Sequence, residues 1–179
     1  MTNMDFIHEK VNIITRKFDT RDPFEICKKM NIHLHYKDLG DSLKAYYFYQ
    51  SRIKNIVINS RSDKVLQRTL CAHELGHAIL HGKYASVHGF QELEMFNNLI
   101  PTEYEANLFA AELIVPDDKL FDLINEANKT YYTVAQELYI PFEILGFKFR
   151  LLNHRGFKFE IPHILKTNFL KDDTSNGFS

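Results

Sequence analysis

With 179 residues, 45% of them hydrophobic and 13% aromatic, the chain is long enough for one domain with a substantial core, or one domain with a small appendage. Its 22 basic and 23 acidic residues nearly cancel, so no global field draws it to nucleic acid or to a membrane surface. No apolar run reaches the length of a membrane span, and the first residues carry no basic stretch followed by an apolar one, which argues against a secretory signal.

Residues 4–18 place Ile7, Val11, Ile14 and Phe18 at helical spacing, which predicts an amphipathic first helix. Asp22-Pro23 opens a second, short one. Ile32 to Tyr36 alternates and reads as a strand, and Leu39-Gly40-Asp41 as a turn. Ala45–Gln50 and Asn55–Asn59 read as the two strands of a hairpin. Ser62 or Asp63 can cap a long helix that ends near Gly82. A loop follows from about Ala85 to Thr102, then a helix from Glu103 to Ile114, stopped by Pro116. Two or three helices fill 117–152, Phe157–Ile161 reads as a late strand, and 171–179 as a disordered tail. This is a mostly helical α+β chain with a sheet of about three strands, a single domain over 1–170. Cys27 and Cys71 make no disulfide framework and read as reduced, mostly buried thiols of a cytoplasmic protein.

The chemistry concentrates in His73-Glu74-Leu75-Gly76-His77, an H-E-x-x-H pattern within an otherwise apolar helix. Residues four apart share a helix face, so the two imidazoles can bind one zinc ion at roughly 2.0–2.1 Å each. Glu74 projects beside the metal, where a general base acting on water belongs.

A catalytic zinc usually takes three protein ligands and keeps one position open. A third histidine six residues after His77 is excluded, because Lys83 stands there. His81 continues the four-residue series but lies about 12 Å from His73 along the axis, so it reads as a packing residue or as one that supports a ligand. His88 falls in the loop, with nothing to fix its direction. Glu103 and Glu105 remain, about 200° apart on the next helix. Glu105 shares a face with Leu108, Phe109 and Glu112, an inward face where a carboxylate needs a strong partner. That argument selects Glu105, with Glu112 as an acceptor for a metal-binding histidine.

The stretch from Arg68 to His81, followed by Glu103 to Pro116 with its E-A-N-x-F-A-A-x-L pattern, resembles the ImmA/IrrE family of zinc metallopeptidases. Asp22 to Ile26 and Ile56 to Asn59 fit the family's lead-in, so the likeness runs over about residues 5–155. It implies a zincin-like domain of the gluzincin kind, with His73 and His77 as ligands, Glu74 as base and Glu105 as third ligand. It also implies a protein partner, a helix-turn-helix repressor whose cleavage switches on transcription of a mobile element or a stress response. Many glutamate-type zinc peptidases place an Asp four residues after the ligand Glu. Counted from Glu105 that position is Phe109, which leaves Asn107, Glu112 or a backbone carbonyl to orient a histidine.

Two further features carry expectations. The strand Asn55–Asn59 could serve as an edge to which an extended substrate adds, or could be an ordinary covered strand. Residues 133–152 have helix-turn-helix rhythm, but the second helix opens with Phe142, Ile144, Leu145 and Phe147, and the basic residues nearby are Lys148, Arg150, Arg155 and Lys158. Core packing or protein docking fits that composition better than DNA reading. A DNA-binding regulator and a zinc-bearing anti-repressor without activity are the alternatives to a peptidase, and the intact Glu74 counts against the latter.

Overall fold

The computed structural model describes residues 2–82 and 101–161. Expectations about Lys83, His88, the 85–100 loop and the 171–179 tail lie outside them. The elements run α1 (Asn3–Phe18), α2 (Pro23–Lys29), β1 (Ile32–Lys37), β2 (Ala45–Gln50), β3 (Ile53–Asn59), α3 (Lys64–Leu80), α4 (Pro101–Ile114), α5 (Asp117–Ile124), α6 (Tyr131–Glu137) and α7 (Phe142–His154). The result is a helical α+β domain with a three-stranded mixed sheet.

Local chemistry sets most of these boundaries. Thr2 and Asp5 form a capping box on α1, whose Ile7, Val11 and Ile14 turn into the core. Asp22 caps α2 through Phe24 N, with Pro23 in its first turn. Between β2 and β3, Ser51 and Arg52 both adopt positive φ, 52° and 65°. That is the primed two-residue turn whose twist matches a hairpin.

The sheet order is β1-β3-β2, with β1 parallel and β2 antiparallel to β3. β3 is therefore central, so of the two readings of Asn55–Asn59 the covered strand holds and the edge does not. Its unbroken buried run from Asn55 to Asn59 reflects cover on both faces and pairing on both sides. Phe157–Ile161 is not a strand either. The Asn153 side chain binds both backbone groups of Phe159, and the Phe159 ring stacks on Phe149, so packing on α7 replaces a ladder.

The core lies where α4 meets α3, α1 and α7. From Ala106 to Ile114 every residue of α4 is buried. The α6–α7 pair carries residues 133–152, with their helix-turn-helix rhythm. α7 is buried through Ile144, Leu145, Phe147, Phe149, Leu151 and Leu152. Lys148, 1% exposed, places Nζ 2.7 Å from Glu112 Oε2 and 2.6 Å from Asp117 Oδ1. Arg155 pairs with Asp117, and Arg150 lies over the Tyr104 and Phe147 rings. Three of the four basic groups are thus engaged within the protein. Among the described residues no helix is long and apolar enough to cross a membrane.

Candidate metal centre

The site is made by two helices in close contact. Asp63 caps α3 by accepting from Leu66 N, and Lys54 Nζ donates to Ala78 O in its last turn. His73, Glu74 and His77 are all fully buried. Gly76 sits between the two histidines against α4. A Cβ there would lie 3.2 Å from Ala106 Cα and from Phe109 Cβ, so the glycine allows the close approach. That approach brings the first turns of α4 over the histidine pair.

Glu103 completes the cluster. His73 Nε2 and His77 Nε2 are 3.2 Å apart. Glu103 Oε2 is 3.3 Å from His73 Nε2, and Oε1 is 3.5 Å from His77 Nε2. Three ligands at 2.0–2.1 Å around a tetrahedral centre stand about 3.3–3.4 Å from one another. The observed edges match that triangle. Glu103 is 5% exposed, and its Oε2 has no hydrogen-bond partner although His73 Nε2 faces it. Three buried acceptors converging in this way fit a divalent cation, and an N,N,O donor set suits zinc among the common ones. Among the described residues this is the one such cluster.

The structure therefore brings Glu103, and not Glu105, to the histidines. The face argument failed because α4 is buried on nearly every side, so an apolar stripe does not mark the side that meets α3. A better signal was present in the sequence. Glu103 and Asn107 are four apart, as are His73 and His77, and two such pairs can face each other across a helix contact. Asn107 Oδ1 lies 2.9 Å from His73 Nδ1 and accepts its proton when Nε2 carries the lone pair. Counted from Glu103, Asn107 stands at the position where other glutamate-type sites place Asp. Phe109 holds that position only when the count starts from Glu105.

Glu105 points elsewhere. Its Oε2 is 2.8 Å from His81 Nε2, and its Oε1 accepts from Asn3 Nδ2 on α1. His81 Nδ1 is 3.0 Å from His77 Nδ1. Burial pushes the His81 imidazole below its usual pKa and so favours the neutral ring, against the pull of Glu105 toward the charged one. Glu112, expected beside a metal-binding histidine, lies nine residues along α4 from Glu103, about 13 Å. Its partners are Lys148 and His8, with His8 Nδ1 2.6 Å from Oε1. The cysteines are free and buried, with their sulfurs 3.8 Å apart between α2 and α3.

Comparisons with known proteins place the chain in a family. The model of the IrrE N-terminal-like domain, peptidase family M78, matches residues 27–150. "Uncharacterized immunity region protein 2" of Bacillus phage phi105 is 36% identical over 111 residues, 62% of this chain and 69% of that protein. "Metallopeptidase ImmA" of Bacillus subtilis (strain 168) is 27% identical over 121 residues, 68% of each. With most of its length matched by the family model, and with both site helices inside the match, the chain belongs to the ImmA/IrrE family of metallopeptidases.

Proposed function

We propose that this protein is a zinc-dependent endopeptidase of the cytoplasm that cleaves a helix-turn-helix repressor and so derepresses transcription. The metal ligands in this reading are His73, His77 and Glu103. The observation that carries it is the triangle of inward-facing ligand atoms, with edges of 3.2, 3.3 and 3.5 Å. The substrate class rests on the family resemblance, and an immunity-region relative in a phage is in keeping with it.

A zinc ion held here would supply a Lewis acid for the scissile carbonyl and a nucleophile from water near neutral pH. The protein's own part is distributed over α3 and α4. Glu74, buried beside His73, accepts the proton of the attacking water and returns it to the leaving amine. Asn107 holds His73 with its Nε2 turned inward. Glu103 supplies negative charge next to two neutral imidazoles, which lets a dication sit in a buried site.

The test is co-incubation of zinc-loaded protein with candidate repressors, wild type against Glu74→Gln. Glu74→Gln should retain zinc and the fold while cleavage falls about 10²–10⁴-fold, the usual range for general acid–base catalysis. Loss of zinc with activity would make Glu74 structural instead. A repressor bound by the wild type but left uncut would make the protein an anti-repressor.

A further inference from the structure

Each histidine of the cluster turns Nε2 inward and offers Nδ1 to a protein group. For His73 that group is Asn107. For His77 it is a second imidazole, and this difference has a consequence. His77 Nε2 faces His73 and Glu103, at 3.2 and 3.5 Å, so with a cation bound its lone pair lies there and its proton lies on Nδ1. The group that faces that proton is His81 Nδ1, 3.0 Å away, which accepts it when unprotonated. His81 must then carry its own proton on Nε2, which points at Glu105 Oε2 at 2.8 Å. The carboxylate is held in turn by Asn3 Nδ2, from the start of α1. Every donor in this row meets an acceptor in one order only.

We propose that His81 and Glu105 form a two-step positioning relay that fixes the tautomer and ring orientation of His77 and so sets metal affinity. The inference rests on the reading of His73, His77 and Glu103 as ligands. Neither relay residue touches the reacting atoms. A neutral imidazole interposed between ligand and carboxylate passes on the polarisation of the carboxylate while keeping its charge a full ring away from the metal. It also places the carboxylate, which is partly exposed, near the surface, where charge is less costly than in the core.

Metal affinity, measured by chelator competition on the full chain with zinc as the probe, distinguishes the roles. His81→Phe keeps the ring volume but neither accepts nor donates, and Glu105→Ala removes the terminal acceptor. Each should weaken zinc binding about 10–100-fold, the usual effect of removing a group that supports a ligand. Glu105→Gln keeps an acceptor oxygen without the charge, and its affinity should fall between Glu105→Ala and wild type. Because the two act in series, the double variant should bind no worse than His81→Phe alone. In zinc-loaded protein labelled with ¹⁵N-histidine, His77 should carry its proton on Nδ1 and His81 on Nε2. If His81→Phe does not fold, the Glu105 pair and the tautomer spectrum carry the test.

A His81 ring protonated on Nδ1, or additive losses in the double variant, would overturn the relay. So would wild-type affinity in His81→Phe and Glu105→Ala alongside lost binding in Glu103→Gln, a result that would leave the metal centre itself standing. Binding abolished in Glu105→Ala but kept in Glu103→Gln would make Glu105 a direct ligand and overturn both readings.

Discussion

Replacing Lys148 by Met tests whether the buried charges of α7 serve the fold. Lys148 is 1% exposed and its ammonium bridges Glu112, 2% exposed, and Asp117, about a quarter exposed. Methionine fills nearly the same volume and carries no charge. Among the described residues Glu112 would then keep His8 as its side-chain partner, while Asp117 would keep Arg155. Leaving a buried charge without its counterion costs roughly 3–5 kcal/mol. Most of that cost falls on Glu112, because Asp117 retains both solvent and an arginine. Against a total stability of about 5–15 kcal/mol the variant should be marginal but folded. With a urea slope of about 2 kcal/mol/M, the unfolding midpoint of the metal-free protein should fall by about 2 M, followed by far-UV circular dichroism. Adding Glu112→Leu removes the orphaned carboxylate and should recover most of the loss, since a buried pair replaced by apolar groups is often neutral. A loss below about 1 kcal/mol, or a double variant as unstable as the sum of the singles, would refute this account.

Other outcomes follow from the same contacts. Gly76→Ala puts a methyl 3.2 Å from Ala106 Cα and Phe109 Cβ, so it should cost about 1–3 kcal/mol and weaken metal binding by displacing α4 from the histidines; calorimetry and chelator competition measure the two effects. The Thr2 backbone and hydroxyl, with His154, hold the Asp5 carboxyl down at about 2 from 3.8. Its contribution to stability is therefore present above pH 3.8 and is lost as pH falls toward 2, and Thr2→Ala should move the NMR midpoint of Asp5 back up. Burial pushes the Cys71 thiol up, so in the native protein it should resist Ellman's reagent and react only on unfolding. Duplex DNA should bind weakly and without preference for an operator, and gel-shift affinity should be unchanged in Arg150→Ala with Lys158→Ala, which leave the buried Lys148 pair intact. A specific complex tighter than about 10⁻⁸ M at physiological salt would contradict that expectation.

The helices were legible where one face is apolar and the start is marked. Ile7, Val11 and Ile14 define α1, and Asp22-Pro23 and Asp63 announce α2 and α3. The pairing of His73 with His77 was legible because residues four apart share a helix face, and their Nε2 atoms lie 3.2 Å apart. What failed depends on neighbours distant in sequence. Whether Asn55–Asn59 is central or at an edge is decided by β1 and β2, although its unbroken Ile56-Val57-Ile58 run hinted at cover on both faces. The choice between Glu103 and Glu105 was decided by which side of a fully packed helix meets α3, and an apolar stripe says nothing of that once all sides are apolar. The burial of Lys148 was not legible, because sequence does not show that the buried Glu112 and the half-buried Asp117 meet its ammonium.

The first helix shows where similarity and physics draw different borders. The family match begins at residue 27, after all of α1 and most of α2. Yet α1 and the residues just after it grip the site helix along its whole length. Asn3 reaches Glu105 near one end of α4, His8 reaches Glu112, and Arg21 donates to the carbonyls of Glu112 and Leu113 at the other end. A fragment trimmed to the matched boundary would keep every proposed ligand and lose these contacts to α4. The smallest piece that carries the motif is thus smaller than the piece that braces the helix it faces.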